Sequence, residues 1–232
     1  MVSRSSRSVL RSFVFVLAAA SLTACLPSFD EVPHDSAEGL EFLSEAAVME
    51  HRRKKDERFR EPNSVWPEDR RDEFQGLLYF PMDESLRFIV KLERYEDPDH
   101  LVMITTEGEK RPAIRYGYLA FEWGGKKHSL QVYQLQDMPA EARGQLFVPF
   151  QDTTSGMETY PTGRYLELAG GEHGWYVLDF NLAYNPSCAY GKKGFACPVT
   201  PAENRLTIPV RAGEYGWVHP EGGYGPNKGE DA

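Results

Sequence analysis

Two cysteines nine positions apart, Cys188 and Cys197, bracket a glycine-lysine loop within LDFNLAYNPSCAYGKKGFACPVTPAENRL (178–206). Thiols so placed can oxidise to a disulfide, hold a metal with further ligands, or act as a reactive thiol and its partner. Neither a CxxC pair nor a His pair lies nearby, which makes a poor zinc signature. Polar residues gather around this loop. Asp152 and Thr154 stand in FQDTTSGMETYPTGRYL (150–166), where DTTSG can form an Asx- or ST-turn. Arg164 opens a strand-like run, where a charge needs solvent or a partner. Asp179 and Asn181 share one face of WYVLDFN by strand alternation, and Asn185, Asn204 and Arg205 approach from the cysteine loop.

Three chemistries stay open for this set. Asp152, Thr154, Arg164, Asp179, Asn181, Asn185, Asn204 and Arg205 can line a pocket for a small polar or anionic ligand. They can instead fasten loops to strands. In a hydrolase, Asp152 or Asp179 would be the general base and Arg164 the anion stabiliser. None of the six histidines sits in an HxH or HExxH spacing, and there is no GxSxG elbow, P-loop or dinucleotide fingerprint. No metal and no cofactor is therefore expected.

These residues must be held by the elements around them. From Phe74 the chain reads as eight or nine short strands: LLYFPM (77–82), RFIVKLER (87–94), LVMITT (101–106), AIRYGYLAFEW (113–123), HSLQVYQL (128–135), QLFVPF (145–150), RYLELA (164–169), WYVLDF (175–180) and RLTIPV (205–210). Gly124–Gly125 predicts a hairpin turn. A second hairpin through GGEHG would bring Arg164 beside Asp179. The expected class is mostly β, an antiparallel meander closing into a barrel or sandwich, with one N-terminal amphipathic helix. That helix would run from a Ser36 cap to Arg60. Its apolar face would carry Leu40, Leu43 and Ala47, flanked by Phe42, Ala46 and Met49, with the basic run HRRKK as a solvated end.

Ahead of the helix, a basic start (MVSRSSRSVLR) and an apolar run (SFVFVLAAASL) read as an export signal. LTAC (22–25) then resembles the bacterial lipobox. That resemblance implies cleavage before Cys25 and acyl chains, palmitate among them, on the new terminus. The other reading is an ordinary signal cut near Ala24. Two cysteines remain after lipidation, and in an oxidising compartment Cys188–Cys197 is expected to be a disulfide. The expected organisation is a signal peptide over 1–24, a tether over 25–35, one mostly-β domain over 36–214 and a flexible Gly-rich tail over 215–232. The expected location is the cell envelope, with the outer membrane favoured because Leu26 is not a retention aspartate. The formal charge of −9 becomes more negative once Arg4, Arg7 and Arg11 are removed, which argues against nucleic acid. The expected partners are the membrane, through the lipid, and a small polar or anionic ligand.

DTTSGMETYPTGRYL, VLDFNLAYNPSCAY and CPVTPAENRLTIPVRAGE resemble a bacterial and archaeal family catalogued as domain of unknown function 1684, as do the upstream RRKKDERFR and FQGLLYFPMD. The likeness covers about residues 40–214. The family pattern includes Asp152, Thr154, Gly163, Arg164, Asp179, Asn181, Asn185, Cys188, Cys197, Asn204, Arg205 and Glu214. This chain has CPVTP where the family usually has CPLPP, and it lacks the longer, tryptophan-containing front section of many members. Relatives without export signals keep both cysteines, which within the family favours a ligand or redox role for them. The resemblance implies no activity.

Overall fold

The structure, a computed structural model, describes residues 37–168, 171, 173–219 and 223–226. The expected signal, Cys25, the tether and the Ser36 cap lie outside the described residues. No described helix is long and apolar enough to cross a membrane. Gly124 and Gly125, with φ of 60° and 70°, make the expected two-residue turn. It joins β3 (Lys110–Trp123) to β4 (Lys126–Leu135), with Trp123 opposite Lys126. On one side β3 pairs with the long β2 (Arg87–Ile104). On the other, β4 meets β5 (Leu146–Phe150), which pairs with β6 (Arg164–Leu168). With β7 (Trp175–Asp179) these strands form one antiparallel six-stranded sheet in the order β6-β5-β4-β3-β2-β7. The sheet curls into a half-barrel and brings its two end strands near each other. The fold is mostly β, with one N-terminal α-helix, as the sequence suggests.

Alternation along β5 and β6 feeds two cores. Leu146, Val148 and Phe150, with Leu166 and Leu168, face the main core. Phe147 and Tyr165 face the opposite side, in a smaller core with Met103, Ala113 and Tyr133. Both faces are covered, so these strands read as nearly continuous apolar runs. The second cover is the cysteine loop. It is tied to the sheet by a Tyr165–Tyr184 bridge at one end and a Thr105–Pro198 bridge at the other.

The structure corrects five expectations. RFIVKLER and LVMITT are one strand. Its register breaks between Arg94 and Asp99, and Pro98 in that gap removes no ladder bond. RYLELA and WYVLDF are not a hairpin, because β7 pairs with β2. RLTIPV is no strand. Leu206, Ile208 and Val210 do alternate into the main core, but the backbone there bonds to Gln151 and Arg164 instead of a ladder. The helix α1 spans Glu45–Arg60. It is capped by Ser44, whose side chain accepts from the Ala47 N–H, and Gly39 with φ of 88° lies in the turn ahead of it. Finally, the Gly-rich tail is packed over its described residues. β8 (Glu214–Tyr215) pairs with β1 (Leu78–Tyr79), and β9 (Trp217–Val218) pairs with β10 (Tyr224–Gly225). Tyr224 meets Trp66 edge to face at 5.4 Å beside Phe59, Phe74 and Tyr190.

Candidate functional site

Arg164 is completely buried, and its partner is Asp152, not Asp179. Gly163, with φ of 103°, allows the approach: a Cβ there would lie 2.4 Å from the Phe150 carbonyl. The guanidinium donates to Asp152 Oδ2 at 2.9 Å and to the carbonyls of Val210 (2.6 Å), Ala212 (2.5 Å) and Glu214 (3.0 Å). Asp152 Oδ1 accepts from the N–H and hydroxyl of Thr154 and from the Val210 N–H. Burial pulls the Arg164 pKa down and Asp152 opposes it. The cluster locks the chain after Leu206 onto the sheet, and neither charge reaches solvent.

Asp179 makes a separate bolt. Its register partner on β2 is Arg87, whose Nε donates to Oδ2 at 3.0 Å. Asp179 Oδ1 accepts from the Asn181 N–H and side-chain amide, and Asn181 in turn bonds both backbone groups of Asp83. Asn204 is a third. Its amide bonds both backbone groups of Gln131 and the Pro149 carbonyl, where β4 and β5 diverge beyond their single register pair, Tyr133–Phe147. Arg205 is exposed and donates to Gln151. The residues expected to share one pocket are thus distributed over separate fastenings. Each oxygen of Asp152 and Asp179 accepts from a donor of the chain, and both carboxylates are buried in fastenings.

Asn185 leads to a different centre. Its N–H donates to Glu214 Oε2 at 3.0 Å, and its side-chain amide donates to the Gly216 carbonyl. Glu214 is buried and also accepts from the Tyr190 hydroxyl at 2.6 Å and from Lys55 Nζ at 2.5 Å. Lys55 arrives from α1. The inward stripe of this helix is Val48, Arg52, Lys55 and Phe59, at steps of four, three and four. HRRKK is therefore a solvated end only in part: His51, Arg53 and Lys54 are exposed, but Arg52 is 7% exposed and Lys55 turns inward. By contrast, Leu43 and Met49 of the expected apolar face are exposed. The 3.6 spacing was readable, but only by admitting cations to an inward face.

Between this stripe and the Asn181–Tyr184 segment lies a cavity of about 290 Å³, lined by His51, Arg52, Lys55, Arg58, Tyr79 and Tyr184 and by two carboxylates, Glu167 and Glu214. Arg52 donates only to two carbonyls, Phe80 at 3.2 Å and Asn181 at 3.3 Å, and its Nε has no partner. Among the described residues no carboxylate lies within ion-pair distance of it. Its face rests 4.5 Å from the Tyr79 ring, and the buried Tyr79 hydroxyl is also unpartnered. Burial lowers the Arg52 pKa, opposed by Tyr79 and, beyond ion-pair distance, by Glu214 and Asp179, while burial and the nearby Glu214 push the Tyr79 phenol well up. His51 keeps an exposed edge, and partial desolvation with the charges of Lys55 and Arg58 holds it below its ordinary value.

Cys188 and Cys197 form a disulfide. The Cys188 sulfur also lies 3.3 Å from the Thr106 hydroxyl, and the Thr106 N–H donates to the Cys197 carbonyl, so the staple is fixed to the β2–β3 turn.

A family model described as "Protein of unknown function (DUF1684)" matches residues 72–215. That span contains every bolt described above and Glu214, while α1 precedes it. The solution NMR structure of an uncharacterized protein from Haloarcula marismortui is similar, with a TM-score of 0.57 and 34% identity over 74% of this chain and 93% of that one. No curated protein matches the sequence.

Proposed function

The chain belongs to the family described as protein of unknown function, DUF1684, and for this member we propose a binding module: an exported, lipid-anchored protein of the cell envelope that holds a small anionic group in the cavity under α1. The observation that carries this reading is Arg52. A buried guanidinium that lacks a carboxylate is electrostatically incomplete, because carbonyls compensate its desolvation only in part. An anion in the adjoining cavity would complete it with charge-assisted bonds, roughly twice as strong as neutral ones. Lys55 and Arg58 add to the field, and the Tyr79 hydroxyl supplies a neutral donor. The hydrolase reading draws no support from Asp152 or Asp179, whose oxygens are occupied.

Calorimetric titration with inorganic phosphate tests the site. Saturable binding is expected, weakened at least about tenfold by Arg52→Met, a single lost charge-assisted contact. Absence of saturable binding, or equal affinity in the variant, would refute it. The anchor rests on LTAC ahead of Cys25. Mass spectrometry of the native product should find Cys25 as an acylated first residue, and an intact amino terminus would contradict the anchoring.

A further inference from the structure

Beneath the disulfide loop, on the outer face of the sheet, lies another cavity of about 290 Å³. Its walls are aromatic: Phe147 from β5, Tyr165 from β6, Tyr184 from the bridging segment and Phe195 from the loop. Phe147 and Tyr165 meet at 4.7 Å and 73°, and Tyr165 and Tyr184 at 5.8 Å and 88°. Successive rings therefore stand nearly at right angles, like adjoining walls of a box. Glu167 lines the same space and, with Tyr184, forms the wall shared with the cavity under α1. It lies opposite Phe147 in register and two residues after Tyr165, so all three share one sheet face. The Tyr184 hydroxyl donates to Glu167 Oε1 at 2.6 Å, and among the described residues no cation pairs with this carboxylate. The one cation in the lining, Arg111, is matched by two bonds to Asp137 at 2.8 and 2.7 Å.

We propose that this cavity is a second binding site, for a small organic cation of the methylated or quaternary ammonium class. Aromatic faces attract such a group through their quadrupoles, and the carboxylate supplies the counter-charge without demanding a hydrogen bond. The volume lies at the small end of ligand sites and suits a head group. The acidic chain, at −9, favours approach of a cation. The cysteine staple holds the wall that carries Phe195 and Cys197.

The test is calorimetric titration of the purified protein, disulfide intact, with choline and with its uncharged isostere 3,3-dimethylbutan-1-ol. Choline should bind saturably and at least about tenfold tighter than the isostere. Glu167→Gln, at an exposed position, should weaken choline about fivefold or more and leave the isostere unchanged. Phe195→Leu should weaken choline while the far-ultraviolet spectrum is retained. Equal affinity for the two ligands, no choline binding, or an indifferent Glu167→Gln would overturn the proposal. Because the cavities share Glu167 and Tyr184, saturating phosphate should shift choline affinity but leave its binding saturable, and complete loss of choline binding would show that they are not separate sites.

Discussion

Arg164 and Arg52 are both buried guanidinium groups, yet their surroundings differ in kind. Arg164 meets one carboxylate and three carbonyls, all at 3.0 Å or less. Arg52 meets two carbonyls at longer range and faces a cavity, and Nε lacks a partner in both arginines. Burial alone thus does not separate a fastening from a receptor. The separation lies in whether a carboxylate of the chain meets the charge. Where it is met, removing a partner strands a charge. Where it is not, the missing counter-charge describes the ligand.

The comparison breaks most sharply through stability. Arg164→Met or Asp152→Ala should cost about 3–5 kcal/mol, since each leaves an uncompensated buried charge, and urea unfolding midpoints would register it. Equal loss for Arg52→Met would mean that both arginines are fastenings. Reducing Cys188–Cys197 comes next, at about 2–3 kcal/mol for a loop this short. Arg52→Met should change stability by no more than about 1 kcal/mol, a thermal shift within about 3 °C, because no carboxylate is stranded. Lys55→Met is the useful contrast, since it orphans Glu214 and should destabilise.

The subtlest effect is pH dependence. His51 is depressed by burial and by Lys55 and Arg58, with Glu214 opposing. A group with a lowered basic pKa binds its proton more readily in the unfolded chain. Its contribution to stability is therefore full above the unfolded pKa, near 6.5, and declines as pH falls through that value. A bound anion offsets the two cations and raises His51, so binding should take up a proton, and affinity for sulfate, which unlike phosphate keeps its charge through this range, should strengthen as pH falls through the ordinary imidazole range. His51→Gln should flatten that dependence.

What could be read in advance follows the range of the interaction. The Gly124–Gly125 hairpin and the Cys188–Cys197 pair are local, and turn chemistry and compartment logic suffice for them. The polar residues were recognisable as a set by type, but their pairing depends on which strands are neighbours. Arg164 seemed to belong with Asp179 only while β7 was taken as the hairpin partner of β6. Once β7 closes onto β2, Arg87 takes Asp179 and Arg164 takes Asp152. Lys55 and Glu214 lie 159 positions apart, so their ion pair has no local signature. The inward face of α1 stayed hidden for another reason. Two of its members are cations, which ordinary patterning assigns to solvent.

The most direct measurement is a diffraction experiment on crystals soaked in selenate, using anomalous scattering to locate the anion. The account predicts a selenium peak in the cavity under α1, within hydrogen-bond reach of Arg52 and Lys55, and none beside Arg164. Selenate confined to exposed surface cations, with that cavity empty, would contradict it.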